Sequence, residues 1–295
     1  MEQVWGASGY AGEGGVVTIG NFDGVHLGHR ALLDRARALD RGPVLAYTFH
    51  PAPPDVLRPD NGIQRIQRLE DRVATLLEAG ADTVVVEPFD LAFAALSPED
   101  FAHGILRDRL RATAVVVGWD FRFGRGRQGT AEGLAELLEV PVEQVAAVEH
   151  GGEPVSSSRI RELLLAGDVA AAAVLLARPH AIVGTVVRGD ARGRELGFPT
   201  ANLDVTTPLV PADGVYAVTC DGRPAVANLG ARPTFAGASR SVEVHVLDFD
   251  GDLYGREVTV AFHARIRGER AFPGRDALVA RIAEDIAEAR VLLGA

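Results

Sequence analysis

One stretch of the chain decides the fold: Val16-Val17-Thr18-Ile19-Gly20-Asn21-Phe22-Asp23-Gly24-Val25-His26-Leu27-Gly28-His29. Its first four residues predict a buried strand, and residues 32–39 have the apolar spacing of a helix. Between strand and helix, backbone N–H groups and the positive end of the helix dipole attract phosphate. His26 and His29 bring imidazole donors to the same point, and Gly28 permits close approach of a ligand. The stretch therefore predicts a nucleotide site, with an ordinary surface loop or a His-x-x-His metal pair as alternatives.

Strand and helix patterns alternate from this stretch to about residue 178. Further apolar runs that predict strands occupy residues 44–49, 83–86, 114–117 and 145–148. Apolar strands separated by helices predict a parallel sheet that is covered on both faces, and ligands of such sheets bind beyond the carboxyl ends of the strands. The expected first domain is therefore a Rossmann-like α/β domain over residues 16–178.

The hydrophobic period changes after Arg178-Pro179-His180. Short strand patterns separated by turn formers lie at residues 182–187, 215–219, 225–229, 242–247 and 258–262. They predict a small antiparallel β-barrel over residues 179–295, closed by an amphipathic C-terminal helix. Residues 1–15 are expected to be a flexible tail, because Gly6, Gly9 and Gly12 precede the predicted strand and so cannot be a dinucleotide fingerprint.

Composition and net charge exclude several classes of function. The 295 residues carry a net charge of -10, and all 30 basic residues are Arg, with no Lys. A Walker A lysine, a kinase strand lysine and Schiff-base chemistry are thereby excluded. The acidic balance argues against a nucleic-acid partner. We expect a cytoplasmic protein without a membrane partner, because Cys220 has no second cysteine, no apolar run reaches ~20 residues, and residues 1–15 do not resemble a signal peptide.

Two further groups of polar residues suit phosphate chemistry. Ser157, Ser158 and Arg161 lie at a predicted helix start, where hydroxyls, N–H groups and a guanidinium bind phosphate. An ordinary N-cap beside solvent-facing arginines explains them equally well. In the second half, Thr200 and Asn202 follow a Gly-bearing loop and offer the hard oxygen ligands that Mg²⁺ prefers, although a rigid turn is the alternative.

Glu243 lies in the middle of a predicted strand, where glutamate is depleted. Val242, Val244 and Val246 take one face of that strand, so Glu243 and His245 take the other. The carboxylate is either exposed to solvent or placed to act as a general base toward a substrate hydroxyl.

Together these motifs resemble the bifunctional bacterial riboflavin kinase/FAD synthetase family, whose first domain is a nucleotidyltransferase of the His-x-Gly-His superfamily. The resemblance to the FMN adenylyltransferase domain is carried by residues 18–29, 118–124 and 155–164. The resemblance to the riboflavin kinase domain is carried by residues 193–202, 211–216, 228–235, Glu243 and residues 252–255. It implies phosphorylation of riboflavin to FMN and adenylylation of FMN to FAD, with riboflavin, FMN and ATP as substrates and Mg²⁺ as cofactor.

The resemblance also implies roles for individual residues. His26 and His29 would stabilise the adenylyl transition state, and Glu243 would activate the riboflavin hydroxyl. ATP and phosphate binding fall to Gly20, Phe22, Asp23, Gly24, Gly28, Ser157, Ser158, Arg161, Gly193, Gly197, Pro199 and Thr200. Flavin binding falls to Asp120, Phe121, Phe123 and Arg267, and Mg²⁺ binding to Thr200 and Asn202. Weak or transient self-association is left open.

The sequence departs from the family pattern at His50 and Ala52, where the family usually has an acidic residue and a histidine. This departure motivates an alternative, a riboflavin kinase with an impaired adenylyltransferase domain. Ser158 replaces the usual threonine and keeps the hydroxyl. A third hypothesis, of a different class, is a non-catalytic flavin- or nucleotide-binding regulator.

Overall fold

The computed structural model describes residues 2–189, 193, 196–234 and 237–295, with the backbone alone at 231–234 and 237–240. Arg194 and Glu195 of the predicted loop, and Phe235 of the segment 228–235, lie outside the described residues. Contacts divide the chain into two compact units. A sheet unit comprises Met1–Gln64 and Leu69–Ser156, and a barrel unit comprises Arg65–Arg68 and Ser157–Ala295.

The described part of the sheet unit is built on a parallel sheet. Its strands are β1 Glu2–Trp5, β2 Gly15–Ile19, β3 Val44–His50, β4 Thr83–Pro88, β5 Ala112–Gly118 and β6 Val142–Val145. Its helices are α1 Leu27–Ala38, α2 Pro53–Leu57, α3 Leu69–Glu78, α4 Leu91–Ala94, α5 Pro98–Asp100, a π-helix Phe101–Arg107 and α6 Ala131–Leu137. Short 3₁₀ helices at Ala7–Gly9 and Arg125–Arg127 and a hairpin of β7 Glu149–His150 and β8 Glu153–Pro154 complete it.

The strand order β1-β4-β3-β2-β5-β6 places the topological switch between β2 and β5. The chain adds strands toward one edge of the sheet on one side of this point and toward the other edge on the other side. The loops after these two strands therefore border one crevice. The β2 side chains alternate between two cores. Val17 and Ile19 pack toward the π-helix, whereas Val16 packs toward α1. Burial on both faces is what the all-apolar strand patterns predicted, and the α/β class is confirmed.

The N-terminal residues are not a free tail, so that expectation was wrong. Residues Glu2–Trp5 pair in parallel with Thr83–Val86 of β4. The Ala7 N–H then donates to the buried Glu87 carboxylate (2.7 Å), which also accepts a bond from the Tyr47 hydroxyl (2.8 Å). Burial, and then the neighbouring Glu87, raises the pKa of Tyr47, so its hydroxyl stays protonated and donates. The open edge of β4 orders a segment whose own sequence carries little strand signal.

The expected strand at residues 145–148 lies three residues earlier. Pairing with β5 starts where the Val115 N–H donates to the Pro141 carbonyl (2.9 Å) and continues over Val142–Val145. The parallel partner therefore sets the register of this edge strand, rather than the local apolar run.

The barrel unit confirms the second predicted architecture. Its described elements are α7 Ser157–Ala166, α8 Val169–Leu176, β9 His180–Val187, β10 Ala201–Val205, β11 Gly214–Cys220, β12 Arg223–Thr234, β13 Gly237–Val246, β14 Glu257–Arg267 and α9 Arg275–Leu293. The strands close in the order β10-β13-β12-β11-β14-β9, and the cross-strand pairs are antiparallel.

Helices α7 and α8 group with the barrel, although the sequence placed residues 157–178 in the first domain. The Leu164 carbonyl accepts a bond from the Ala212 N–H (3.0 Å), and the Ala166 carbonyl accepts one from Arg265 Nη1 (3.2 Å). Leu175 and Leu176 of α8 are buried, and α8 packs on β9 and β14. A boundary drawn where the hydrophobic period changes misses such packing, because helices are assigned to a unit by their contacts. None of the helices in the described part of the chain has the length and apolar character needed to span a bilayer.

Candidate functional site

The predicted nucleotide loop connects β2 to α1 through a tightly turned backbone. Phe22 and Val25 adopt positive φ values of 51° and 42°, and Gly24 adopts 89°. His26 is the N-cap residue of α1 in an extended conformation. A positive φ raises the conformational energy of a non-glycine residue, so the surrounding packing must hold the loop in this form. Phe22 and Val25 are fully buried and provide that packing.

The two histidines lie face to face at the start of α1. Their ring centroids are 3.6 Å apart and the rings are inclined by 18°, and Phe22 contacts His29 edge-on at 5.1 Å. His26 is only 6% exposed. The structure therefore brings both imidazoles to the positive end of the α1 dipole, beside the carboxyl end of β2.

Gly28 is required by this arrangement of rings. A Cβ atom on Gly28 would lie 3.1 Å from His26 Cε1 and 3.2 Å from His26 Nδ1, tighter than ordinary van der Waals contact. The same position is 3.7 Å from the carbonyl oxygen of Val155. Gly28 therefore leaves room for the His26 ring, in addition to the ligand approach that the sequence suggested.

Arg72 is a residue of this site that the sequence interpretation missed. Its side chain, 6% exposed, donates from Nη1 to the Asn21 carbonyl (2.8 Å) and from Nη2 to the Phe49 carbonyl (3.0 Å). It thereby joins the loop after β2 to the end of β3. The available signal was an arginine next to Val73 on the buried side of helix α3, where a cation needs several acceptors.

The end of β5 supplies the other wall of the switch crevice. Asp120 is exposed and Trp119 is 55% exposed, and Gln144 of β6 donates to the Trp119 carbonyl (2.9 Å). The rings of Phe121 and Phe123 stack at 5.4 Å. Phe123 is buried in the core, so Trp119, Asp120 and Phe121 are the groups there that remain open to a ligand. Trp119 was not among the sequence candidates.

Ser157 and Ser158 occupy the first positions of α7, and Arg161 lies one turn later. Arg161 Nη1 donates to the Ser158 hydroxyl at 3.4 Å. The helix start that the sequence predicted is therefore present, within the barrel unit.

In the barrel, Glu243 of β13 is flanked on both sides by asparagines. It is paired across strands with Asn202 of β10 and with Asn228 of β12. Paired residues of antiparallel strands point to the same face, and Val242 and Val244 fill the opposite, buried face. Glu243 is half-buried. This register places a carboxylate between two amides, and Asn228 is the one the sequence analysis did not single out.

The loop before β10 brings Thr200 next to these residues. The Gly193 carbonyl accepts bonds from the N–H groups of Leu196 (3.2 Å) and Phe198 (2.8 Å), and Gly197 turns the chain with a φ of 89°. A Cβ atom on Gly193 would lie 2.9 Å from Thr200 Oγ1. A glycine at this place therefore leaves space around the Thr200 hydroxyl.

The donor set fits the Mg²⁺ that the family implies. Asn202 Oδ1 and Thr200 Oγ1 are hard oxygen atoms. Gly189 leaves the space that the Asn202 amide occupies, since a Cβ there would lie 2.7 Å from Oδ1 and still nearer to Nδ2. Among the described residues, no group of three His, Cys, Asp or Glu side chains could hold a metal alone. Mg²⁺ usually completes its shell with water and nucleotide phosphates, so two protein oxygens are sufficient.

A cavity of about 530 Å³ adjoins this loop. Its lining includes Pro199, Thr200, Phe249, Asp252 and Tyr254. The size is within the range of small-molecule sites, and the aromatic rings offer surfaces on which a planar base can stack.

Arg267 does not extend into this cavity in the described structure. Its guanidinium pairs with Asp285 of α9, from Nη2 (2.9 Å) and from Nε (3.0 Å), and Nη1 donates to the Gly268 carbonyl (3.1 Å). Asp285 is 2% exposed and also forms an ion pair with Arg281 (2.8 Å). The flavin-binding role of Arg267 stays a prediction, and the structure pairs its guanidinium with Asp285 of the last helix.

The first unit is a parallel α/β fold with two stacked imidazoles at a helix start. The second is a barrel in which Thr200 and Asn202 place oxygen atoms beside glycines. Together they define a two-domain transferase that uses nucleotides. Family models match both parts: an FAD synthetase model covers residues 10–159, and a riboflavin kinase model covers residues 176–293. The chain belongs to the bifunctional riboflavin kinase/FMN adenylyltransferase family.

Relatives and one solved structure match nearly the whole chain. A bifunctional riboflavin kinase/FMN adenylyltransferase of Escherichia coli K12 is 41% identical over 295 residues, covering 96% of this chain and 94% of the relative. One of Bacillus subtilis 168 is 36% identical, covering 93% and 91%. A crystal structure described as a macrolide-efflux protein from Streptococcus pneumoniae is 32% identical, with a TM-score of 0.92 over 98% of both chains.

Proposed function

We propose that this enzyme phosphorylates riboflavin to FMN in its barrel unit and adenylylates FMN to FAD in its sheet unit, with ATP as co-substrate of both reactions. The observation that carries the proposal is that each unit has its own set of groups for phosphate chemistry. The sheet unit has the stacked His26 and His29 at the start of α1. The barrel unit has Glu243 between Asn202 and Asn228.

The kinase step needs a base and a bound nucleotide. The Glu243 carboxylate accepts the proton of the riboflavin 5′-hydroxyl while that oxygen bonds to the γ-phosphorus of ATP, and the bond to the departing ADP breaks. Gly193, Gly197, Pro199 and Thr200 form the loop that holds the phosphates. Arg267 acts on the flavin side through α9, since its guanidinium is bonded to Asp285.

Thr200 and Asn202 would hold the magnesium ion in the barrel unit. When bound, the ion neutralises charge on the transferred phosphoryl group. The asparagine amide and the threonine hydroxyl remain uncharged, so the positive charge of the ion is directed to the nucleotide.

The adenylyl step is a displacement at the α-phosphorus of ATP. A phosphate oxygen of FMN bonds to that phosphorus, and pyrophosphate leaves. His26 and His29 donate hydrogen bonds to the phosphate oxygens as charge develops. Gly20, Phe22, Asp23, Gly24 and Gly28 are assigned to the loop that contacts the phosphates, as the family resemblance implies. Ser157, Ser158 and Arg161 are assigned to phosphate binding, as the family resemblance implies, and Asp120, Phe121 and Phe123 to the flavin, with Phe121 as the more accessible ring.

The substrates are therefore riboflavin, FMN and ATP, and the place of action is the cytoplasm. Burial raises the pKa of the single thiol, Cys220, to about 11, so it stays a protonated, unreactive core group.

The kinase-only alternative rested on His50 and Ala52. Family models match both units, and the relatives that match nearly the whole chain are bifunctional enzymes, which supports the bifunctional proposal.

A chromatographic assay with riboflavin, ATP and Mg²⁺ tests the proposal. The expected result is conversion of riboflavin to FMN and then to FAD with release of pyrophosphate. Formation of FMN alone would remove the adenylyltransferase activity from the proposal, and absence of any product would leave the non-catalytic regulator. His29→Ala separates the sites, since it should abolish FAD formation and leave FMN formation intact.

A further inference from the structure

We infer that His245 is a positioning residue of the kinase reaction, which holds the ATP loop against the strand that carries the base. The inference rests on the proposed kinase function of the barrel unit. His245 lies two residues after Glu243 on β13, and both side chains point away from the buried valines of that strand.

The contact is a short hydrogen bond from the ring to the loop backbone. His245 Nδ1 lies 2.7 Å from the Pro199 carbonyl oxygen. A carbonyl only accepts, so Nδ1 carries the proton and donates. The ring is also perpendicular to that of Phe198, with centroids 6.0 Å apart and planes inclined by 87°. The imidazole therefore contacts two consecutive residues directly before Thr200.

The strand ladder cannot hold this part of the loop by itself. β10 pairs with β13 only at Ala201↔Val244 and Asn202↔Glu243. Pro199 has no N–H and cannot extend a ladder as a donor. At this point a side-chain hydrogen bond from His245 takes the place of a backbone hydrogen bond between the strands. It attaches the loop to β13 beyond the last paired residue.

Thr200 is thereby fixed between two attachments to the same strand. On its C-terminal side, Ala201 and Asn202 are paired with β13. On its N-terminal side, Pro199 accepts the hydrogen bond from His245. The oxygens that would hold Mg²⁺ and the Glu243 carboxylate then move as one body. A loose Thr200 would weaken nucleotide and metal binding, whereas the base itself would stay in place on its strand.

The experiment measures steady-state kinase kinetics of the full-length enzyme with varied MgATP and varied free Mg²⁺. In His245→Ala we expect the KM for MgATP and the half-saturating Mg²⁺ to rise about fivefold to tenfold, the effect of one lost neutral hydrogen bond, with kcat changed less than about twofold. FMN adenylylation should be unchanged.

Two conservative variants separate positioning from packing. The amide nitrogen of asparagine can occupy the place of Nδ1, and that of glutamine the place of Nε2. His245→Asn should therefore restore most of the MgATP affinity, whereas His245→Gln should resemble His245→Ala. His263→Ala is the matched control, because His263 is a barrel histidine bonded to the Thr219 hydroxyl (3.2 Å) and away from the loop.

An unchanged KM for MgATP in an active His245→Ala enzyme would overturn the inference. Equal KM values for MgATP in the Asn and Gln variants would overturn it as well. So would loss of the circular dichroism signal of the barrel in the Ala, Asn and Gln variants, since His245 would then be a purely structural residue. A wild-type enzyme that makes no FMN would instead contradict the proposed function.

Discussion

Asn202 and Glu243 are direct partners across the pair of strands β10 and β13. Their side chains share one face of the barrel, and directly opposed residues have Cβ atoms about 5 Å apart. Backbone register therefore fixes the distance between the amide proposed to hold Mg²⁺ and the carboxylate proposed as the base, with no loop between them. A shift of one residue in this pairing would turn Glu243 into the barrel interior.

The first prediction concerns the base. Glu243→Gln should lower the rate of FMN formation by at least about 100-fold, because the amide cannot accept the substrate proton. Conversion of FMN to FAD should remain at the wild-type rate, since that chemistry is assigned to the other unit. Product chromatography with riboflavin and with FMN as starting flavins measures both rates.

Glu257→Gln is a suitable control for this change. Glu257 also lies on a barrel strand, is 60% exposed, and pairs with Arg68 at 3.3 Å. It should keep both activities. If Glu243→Gln lowered the two activities together, the model of two separate sites would be wrong.

The second prediction concerns the metal. Asn202→Ala should raise the Mg²⁺ concentration needed for half-maximal kinase activity by about tenfold, since one of two protein oxygens is lost. The adenylyl reaction should keep its Mg²⁺ requirement. Titration of Mg²⁺ at saturating ATP in the two assays measures this difference, and an equal shift in both reactions would contradict the assignment of Asn202.

The third prediction concerns Gly28. A Cβ atom at this position would lie 3.1 Å from the His26 ring, so Gly28→Ala should displace the imidazole by a few tenths of an ångström. Misplacement of a group that stabilises the transition state should reduce FAD formation by about tenfold or more. Gly104→Ala is the matched control, because its Cβ would meet no atom within 4 Å. Equal activity of the two variants would remove Gly28 from the site.

The fourth prediction is a pH dependence of the stability of the barrel unit. Burial lowers the pKa of His180 to about 4, and its Nε2 donates to the Leu209 carbonyl (3.0 Å). The unfolded chain takes up a proton near pH 6.5, whereas the folded barrel does not. Stability from this group is therefore complete above pH 6.5 and falls as the pH drops toward 4, by about 3 kcal/mol in total.

His180→Gln should flatten this slope in chemical unfolding followed by circular dichroism between pH 7 and 4.5. The sheet unit provides an internal reference, since the two tryptophans of the chain, Trp5 and Trp119, are both in it and report its unfolding by fluorescence. His103→Gln in that unit is the matched control, because His103 also bonds a backbone carbonyl (2.9 Å). An unchanged slope in His180→Gln would contradict the prediction.

Local sequence was sufficient for the parts of the fold that depend on short-range signals. The apolar runs at β2, β3, β4 and β5 and the helix period between them predicted the parallel sheet, because a strand buried on both faces must be apolar throughout. The alternation of Val242, Val244 and Val246 with Glu243 and His245 likewise predicted which side of β13 is buried. These patterns are properties of neighbouring residues.

Other features depended on partners distant in the chain. The segment Glu2–Trp5 became a strand because β4 offered a free edge. The guanidinium of Arg267 pairs with Asp285, 18 residues later. Asn228 and Arg72 join their sites through pairings that no local pattern shows.

The sequence by itself therefore determined the two architectures and the motifs to which we assign phosphate chemistry, because hydrophobic period and motif spacing act over a few residues. Only the tertiary structure decided the stacking of His26 on His29, the placement of Glu243 between two asparagines and the bond from His245 to Pro199. Those relations follow from strand register and side-chain packing, which depend on the sum of contacts over the whole unit.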